Sequence, residues 1–147
     1  MLQVREIMNA EVATCTCDTN LDQVASLMWD RDCGAIPVVD VAHEPVGMVT
    51  DRDIAMGAML SRRSQQDLRV DEIKQLGEVI SCTSSDAVRD ALKKMRRHQV
   101  RRLPVVDETG RLAGILSLGD IIGRTGKKQR AGVSCRDTVK ALKRISR

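Results

Sequence analysis

Gly47-Met48-Val49-Thr50-Asp51-Arg52-Asp53 is followed 67 positions later by Gly114-Ile115-Leu116-Ser117-Leu118-Gly119-Asp120. Each copy holds a glycine, two apolar residues, a hydroxyl residue, and an aspartate three places after the hydroxyl. The apolar run predicts the end of a strand, and Thr50 or Ser117 the N-cap of a following helix. Such a turn sets a hydroxyl, a carboxylate and uncapped backbone N–H groups side by side. The carboxylate suits sugar hydroxyls and the helix start suits phosphate. The plainer reading is a helix cap in which the aspartate reaches back to the backbone.

Reading outward, the whole neighbourhood is duplicated. Ile36-Pro37-Val38-Val39-Asp40 returns as Leu103-Pro104-Val105-Val106-Asp107. Leu21, Val24, Ala25 and Met28, spaced for one face of a helix, return as Val88, Ala91, Leu92 and Met95. Val4 and Ile7 return as Val70 and Ile73, at an offset of 66. The predicted unit is a short helical lead-in, a strand at Val12 to Cys15, a helix opened at Asn20 and ended by Gly34, a hairpin, and a helix from Asp51 to about Leu60. The order is β-α-β-β-α, an α/β (α+β) class. The divisions are 1–60 for the first repeat, 61–69 for a polar linker, 70–124 for the second repeat and 125–147 for a basic tail. Duplication this regular predicts two repeats packed with pseudo-two-fold symmetry, neither burying its apolar face alone.

Composition narrows the function classes. There is no Phe or Tyr and a single Trp, Trp29, so the core is aliphatic and base-stacking platforms are disfavoured. No apolar run approaches the ~20 residues of a membrane span. The first ten residues hold no signal-peptide apolar region, and a cytoplasmic protein is expected. Five scattered cysteines do not form a disulfide framework, and Cys15-Thr16-Cys17 has no second pair to complete a zinc site. No metal is expected. His98 has no nucleophile or carboxylate in a recognisable spacing, so no catalytic residues are assigned and the chain is not expected to be an enzyme.

The net charge of +4 is unevenly spread: residues 1–123 carry 15 basic and 19 acidic side chains, residues 124–147 nine basic and one acidic. Arg124 to Gly132 reads as flexible and basic. Ser134 then predicts the cap of an amphipathic helix with Asp137 at its third position and Val139, Leu142 and Ile145 as an apolar stripe.

Two copies of I/L-P-V-V-D, a hairpin, and G-h-h-T/S-x-x-D resemble a tandem pair of CBS domains, named after cystathionine β-synthase, over roughly Val4 to Arg124. The resemblance implies a regulatory module that binds adenosyl nucleotides (AMP, ADP, ATP, S-adenosylmethionine or NADH) in clefts between the repeats. It implies ribose contacts from Asp53 and Asp120, and phosphate or ribose contacts from Thr50 and Ser117. Adenine would be flanked by Ala35-Ile36-Pro37 and Arg102-Leu103-Pro104, with Thr14-Cys15 and Cys82-Thr83 completing the base pockets. Arg101 and Arg102 stand where the first repeat has Gly34 and Ala35, and with Arg52 they are phosphate candidates. The clefts therefore differ in charge, and unequal affinities are expected. By resemblance the protein is a homodimer, needs no cofactor beyond the regulatory nucleotide, and acts on a protein effector carried on a separate polypeptide. The alternative is a protein-interaction or polyanion-binding adaptor that works through the basic C-terminal helix without nucleotide; nucleic acid itself is disfavoured, since charge alone gives only non-specific, salt-sensitive binding.

Overall fold

A computed structural model describes residues 1–125 and 134–145. The elements are α1 (Leu21–Arg31), β1 (Ala35–Val39), β2 (Pro45–Thr50), α2 (Asp51–Ser61), α3 (Val70–Ile73), β3 (Cys82–Thr83), α4 (Val88–His98), β4 (Arg102–Val106), β5 (Leu112–Ser117), α5 (Leu118–Thr125) and α6 (Cys135–Ile145). The expectation of a flexible stretch across 126–133 lies outside the described residues.

The chain forms two compact bodies, the first made of Val12–Val79 and the second of Met1–Glu11 with Ile80–Arg147. The lead-ins are exchanged between the repeats as written in sequence. In the second body the Val4 N–H donates to the Asp86 carbonyl (2.9 Å) and Val88 N–H to the Leu2 carbonyl (3.0 Å). In the first, Val70 N–H donates to the Thr19 carbonyl (3.0 Å) and Leu21 N–H to the Leu68 carbonyl (2.9 Å). Val4 and Val70 are fully buried, each in the core of the body it has joined.

Both bodies use the same ladder. β1 and β2 pair antiparallel from Ala35↔Thr50 to Val39↔Pro45, and β4 and β5 from Arg102↔Ser117 to Val106↔Leu112, each with an irregularity before the last pair. On the other edge, Cys82–Thr83 runs parallel to Val105–Val106. The first body keeps only a single bridge there, Cys15↔Val38, where the sequence predicts a strand from Val12. That bridge takes the Pro37 carbonyl and the Val39 N–H, so it never asks Pro37 for the donor it lacks. Each hairpin is closed by one aspartate: Asp40 Oδ1 accepts from Ala42 and Glu44 N–H, and Asp107 Oδ1 from Thr109 and Arg111 N–H. The left-handed residue of the turn is Gly110 in one copy (φ 86°) and His43 in the other (φ 61°).

α1 buries Leu21, Val24 and Met28, and α4 buries Val88, Ala91, Leu92 and Met95. The sequence predicts that Gly34 ends α1, but the helix stops at Arg31, where Asp32 takes the left-handed conformation; Gln99 does the same after α4. α6 is capped by Ser134, whose hydroxyl accepts from Asp137 N–H (3.1 Å). It lies on α4 and α5 with Thr138 and Ala141 buried and Leu142 and Ile145 against the same core. Val139, assigned to the apolar stripe by its spacing, is instead exposed. The inward face is rotated toward small residues that allow close helix approach.

Candidate functional site

Each repeated motif folds into a strand-to-helix turn that caps its own helix. At the first, Thr50 Oγ1 accepts from Asp53 N–H (3.1 Å) and Asp53 Oδ2 accepts from Thr50 N–H (2.9 Å). At the second, Ser117 Oγ accepts from Asp120 N–H (3.1 Å), while Asp120 Oδ2 accepts from the Ser117 N–H and hydroxyl (both 2.7 Å). The helix starts are thus reciprocally capped, against the expectation of uncapped N–H groups. Capping occupies one oxygen of each carboxylate. Among the described residues Oδ1 of Asp53 and of Asp120 accepts no hydrogen bond, so a cap and a ligand contact are compatible on one side chain.

The ladder gathers part of the predicted set at these turns. Ala35 lies opposite Thr50, and Arg102 opposite Ser117. Asp51 N–H donates to the Gly34 carbonyl (3.1 Å) and Leu118 N–H to the Arg101 carbonyl (2.8 Å), tying the entry to β1 or β4 onto the helix start. Arg52, Arg101 and Arg102 are exposed. No ion pair engages them among the described residues.

Other predicted residues sit apart. Ile36 and Leu103 turn their side chains into the cores, and Pro37 and Pro104 are buried. Cys15 and Cys82 are core residues too, with Cys15 Sγ donating to the Pro37 carbonyl (3.7 Å). Burial pushes the Cys15 thiol up to about 11. Burial, and then the nearby Asp86 carboxylate, push Cys82 up to about 12, against a smaller opposing pull from Lys94. A ligand near any of these would meet backbone rather than side chain. Thr83 bonds Asp86 through its N–H (3.0 Å) and hydroxyl (2.7 Å). It lies opposite Val106, roughly four strand residues or 13 Å along β4 from Arg102. Thr14 is half-buried beside the Cys15 bridge, and its counterpart at the 67-residue offset is Ser81 rather than Thr83.

One residue that shapes the first turn has no place in the repeated motif. Lys74 Nζ donates to Asp53 Oδ2 at 3.0 Å, across 21 positions of sequence. Burial works against the Asp53 charge. The Thr50 N–H, the Lys74 ammonium and the Thr50 hydroxyl together outweigh it and hold the carboxyl below the usual range. At the 66-residue offset of the lead-ins, Lys74 corresponds to Met8, and among the described residues no cation pairs with Asp120 at the second turn. That lysine-for-methionine difference between otherwise matching lead-ins is the sequence signal that would have found it. The two turns therefore differ: a lysine is fixed on the carboxylate of the first, and free guanidiniums stand beside the second.

Among the described residues no three His, Cys, Asp or Glu side chains group as a metal site, and no helix is long and apolar enough to cross a membrane. The model of the CBS domain family matches residues 4–58 and 70–125. The CBS domain-containing protein YhcV of Bacillus subtilis is 37% identical over 132 residues, covering 90% of this chain and 91% of that protein. Among solved structures, the CBS domain pair of protein MJ0100 in complex with 5′-methylthioadenosine and S-adenosyl-L-methionine aligns with a TM-score of 0.76 at 25% identity, over 88% of this chain and 99% of that one. The CBS domain protein PAE2072 from Pyrobaculum aerophilum, complexed with AMP, aligns with a TM-score of 0.72 at 25% identity, over 87% and 93%.

Proposed function

Because this chain belongs to the CBS domain family, we propose that it is a non-catalytic regulatory module that binds an adenosyl nucleotide and works as a homodimer on a protein partner. Support comes from the similar structures that carry AMP or S-adenosyl-L-methionine. The observation that carries the reading for this chain is the β5–α5 turn. There Asp120 keeps an unpartnered carboxylate oxygen, and Arg101 and Arg102 stand exposed and unpaired beside a helix start. A carboxylate takes paired sugar hydroxyls in charge-assisted hydrogen bonds, and a planar guanidinium takes phosphate in a fork. We assign the stronger site to this turn. At the β2–α2 turn Lys74 already neutralises Asp53, so a ribose there competes with an ion pair. Binding then shifts the population of states the module presents to its partner.

An adaptor acting through the basic helix has less to offer. Ala141, Leu142 and Ile145 of α6 are taken up by its own core, which leaves the exposed Val139 and a set of charges, a largely salt-sensitive basis for binding.

Thermal unfolding with AMP, ATP, S-adenosylmethionine and NADH tests the proposal, since a ligand of the folded state raises the midpoint with its concentration. Replacing both Arg101 and Arg102 by Ala should weaken ATP more than S-adenosylmethionine, which has no phosphate. A midpoint that none of the four ligands moves would sink the reading.

A further inference from the structure

α4 and α6 pack side by side in the second body, and each carries a row of cations. On α4, Arg89, Lys93 and Arg96 are exposed and spaced i, i+4, i+7, the interval of one helix face. On α6, Arg136, Lys140 and Lys143 repeat that spacing, with Arg144 beside them. Two grooves mark the seam between the helices. One, of about 140 Å³, is lined by Arg89, Leu92, Lys93, Arg96 and Asp137. The other, of about 430 Å³, is lined by Gln99, Lys140, Lys143 and Arg144. The start of α6 therefore lies along α4 and its end beside the α4 C-cap. The two rows follow the seam for about 16 Å, the length of a helix of 11 residues.

Little within the chain answers this charge. Three cations on each helix line the grooves, and among the described residues only Lys93 forms an ion pair, with Asp90 at 2.8 Å. Asp137 is the carboxylate of the lining. It serves the cap of its own helix, accepting from the Ser134 hydroxyl (2.9 Å) and N–H (3.3 Å). The strip is not a property of the repeated unit either. At the 67-residue offset Arg89, Lys93 and Arg96 are Asp22, Ser26 and Trp29.

Three kinds of anionic surface meet basic strips, and the side chains separate them. A lipid surface takes apolar or aromatic side chains set among the cations. Here Leu92 is 4% exposed, and the exposed Val139 lines neither groove. A nucleic acid strand brings phosphates without a break, which Asp137 opposes in the smaller groove, and the strip has no aromatic side chain for a base. A helix with Asp and Glu along one face meets both rows of cations at matching intervals, and a single basic residue on it answers Asp137. We propose that the α4–α6 seam docks an acidic helical segment of the protein partner, with carboxylates along one face over about three turns. The inference rests on the protein-partner part of the proposed function and requires no particular nucleotide.

Fluorescence anisotropy of labelled, helix-stapled peptides titrated with the full chain forms the test. One peptide carries its Glu residues along one face, and an isomer of the same composition spreads them around the helix. The first should bind saturably and weaken with added salt, and the isomer should bind at least about tenfold more weakly. Arg96→Glu with Lys140→Glu, one reversal on each helix, should weaken the first peptide at least about tenfold with melting unchanged. Arg5→Glu with Arg31→Glu makes the same change of net charge on residues that line neither groove, and should bind as the wild type does. Equal affinity for the two isomers, or equal losses in the two double variants, would reduce the effect to net charge and overturn the proposal. Duplex DNA or phosphatidylserine vesicles that displace the peptide and bind more tightly through Arg96 and Lys140 would overturn it in favour of nucleic acid or membrane. No binding of either peptide at low salt, by protein that still takes up AMP, would overturn the seam as a docking site and leave the nucleotide reading intact.

Discussion

Replacing Lys74 by Met, the residue its counterpart Met8 already supplies, isolates the electrostatics of the first turn without altering its cap. At the 3.0 Å separation of Nζ and Oδ2, the Coulomb attraction is roughly 1.4 kcal/mol in bulk water and about 5.5 kcal/mol at the permittivity typical near a protein surface. Desolvation and the entropy of holding a lysine still offset most of it, and exposed pairs return about 0.2–1 kcal/mol. The side chains here are 34% and 27% exposed, which favours the upper end, about 1 kcal/mol. For a chain of this size that is a fall in melting midpoint of about 2–4 °C at neutral pH. The sign with pH follows from the depressed carboxyl of Asp53. A carboxylate held low contributes stability that is fully present above its unfolded value of about 3.9 and is lost as pH falls through the folded value. Urea unfolding of wild type and Lys74→Met between pH 7 and pH 2 should show a gap that closes only in the acid range. Combined with Asp53→Asn, the double variant should show little further loss. A gap of several kcal/mol, or one that does not change with pH, would refute the ion-pair account and make Lys74 a packing residue.

Other substitutions probe the remaining structure. Leu68→Ala should lower stability by about 2–5 kcal/mol in chemical unfolding, because this residue of a polar stretch is 1% exposed in the first core. Gly114→Ala should cost about 1–3 kcal/mol, since the new methyl would stand 2.6 Å from the rigid Asn9 carbonyl oxygen. Gly47→Ala should cost less in the same melt, as it meets only the end of the Leu76 side chain. Alkylation at pH 8 followed by peptide mapping should modify the exposed Cys17 and Cys33 and spare Cys15 and Cys82, whose thiols burial keeps protonated until the protein unfolds.

What was legible in the sequence is what repeats locally. The strand pairs, the aspartates that close the hairpins and the helix faces from Leu21 and Val88 all follow from short-range spacing, and duplication confirmed each reading with an independent copy. Long-range choices were not legible. Nothing local says that the lead-in at Val4 is clamped by Asp86, or that Lys74 reaches back to Asp53. Leu68 has no periodic partners to mark it as core, so its stretch reads as a linker. The strand predicted over Val12 to Cys15 survives as one bridge at Cys15, where its counterpart Cys82–Thr83 forms a two-residue strand, a difference too small for alternation to resolve. Val139 was misplaced because spacing alone cannot tell a stripe of large residues from an inward face of Thr138 and Ala141, where helices approach closely. At the turns, the residue types pointed both to a cap and to a ligand site. The cap is formed, and it leaves one oxygen of each aspartate available.

The most direct measurement is calorimetric titration of AMP into the wild type, Asp120→Ala and Asp53→Ala. The account predicts saturable binding by the wild type, at least about tenfold weaker binding by Asp120→Ala from the loss of a charge-assisted contact, and a smaller effect of Asp53→Ala. Loss of the cap should cost the first variant only about 1 kcal/mol of stability, so it remains folded for the comparison. No saturable heat in the wild type at millimolar AMP, or equal affinity in all three proteins, would contradict it and reduce both aspartates to helix caps.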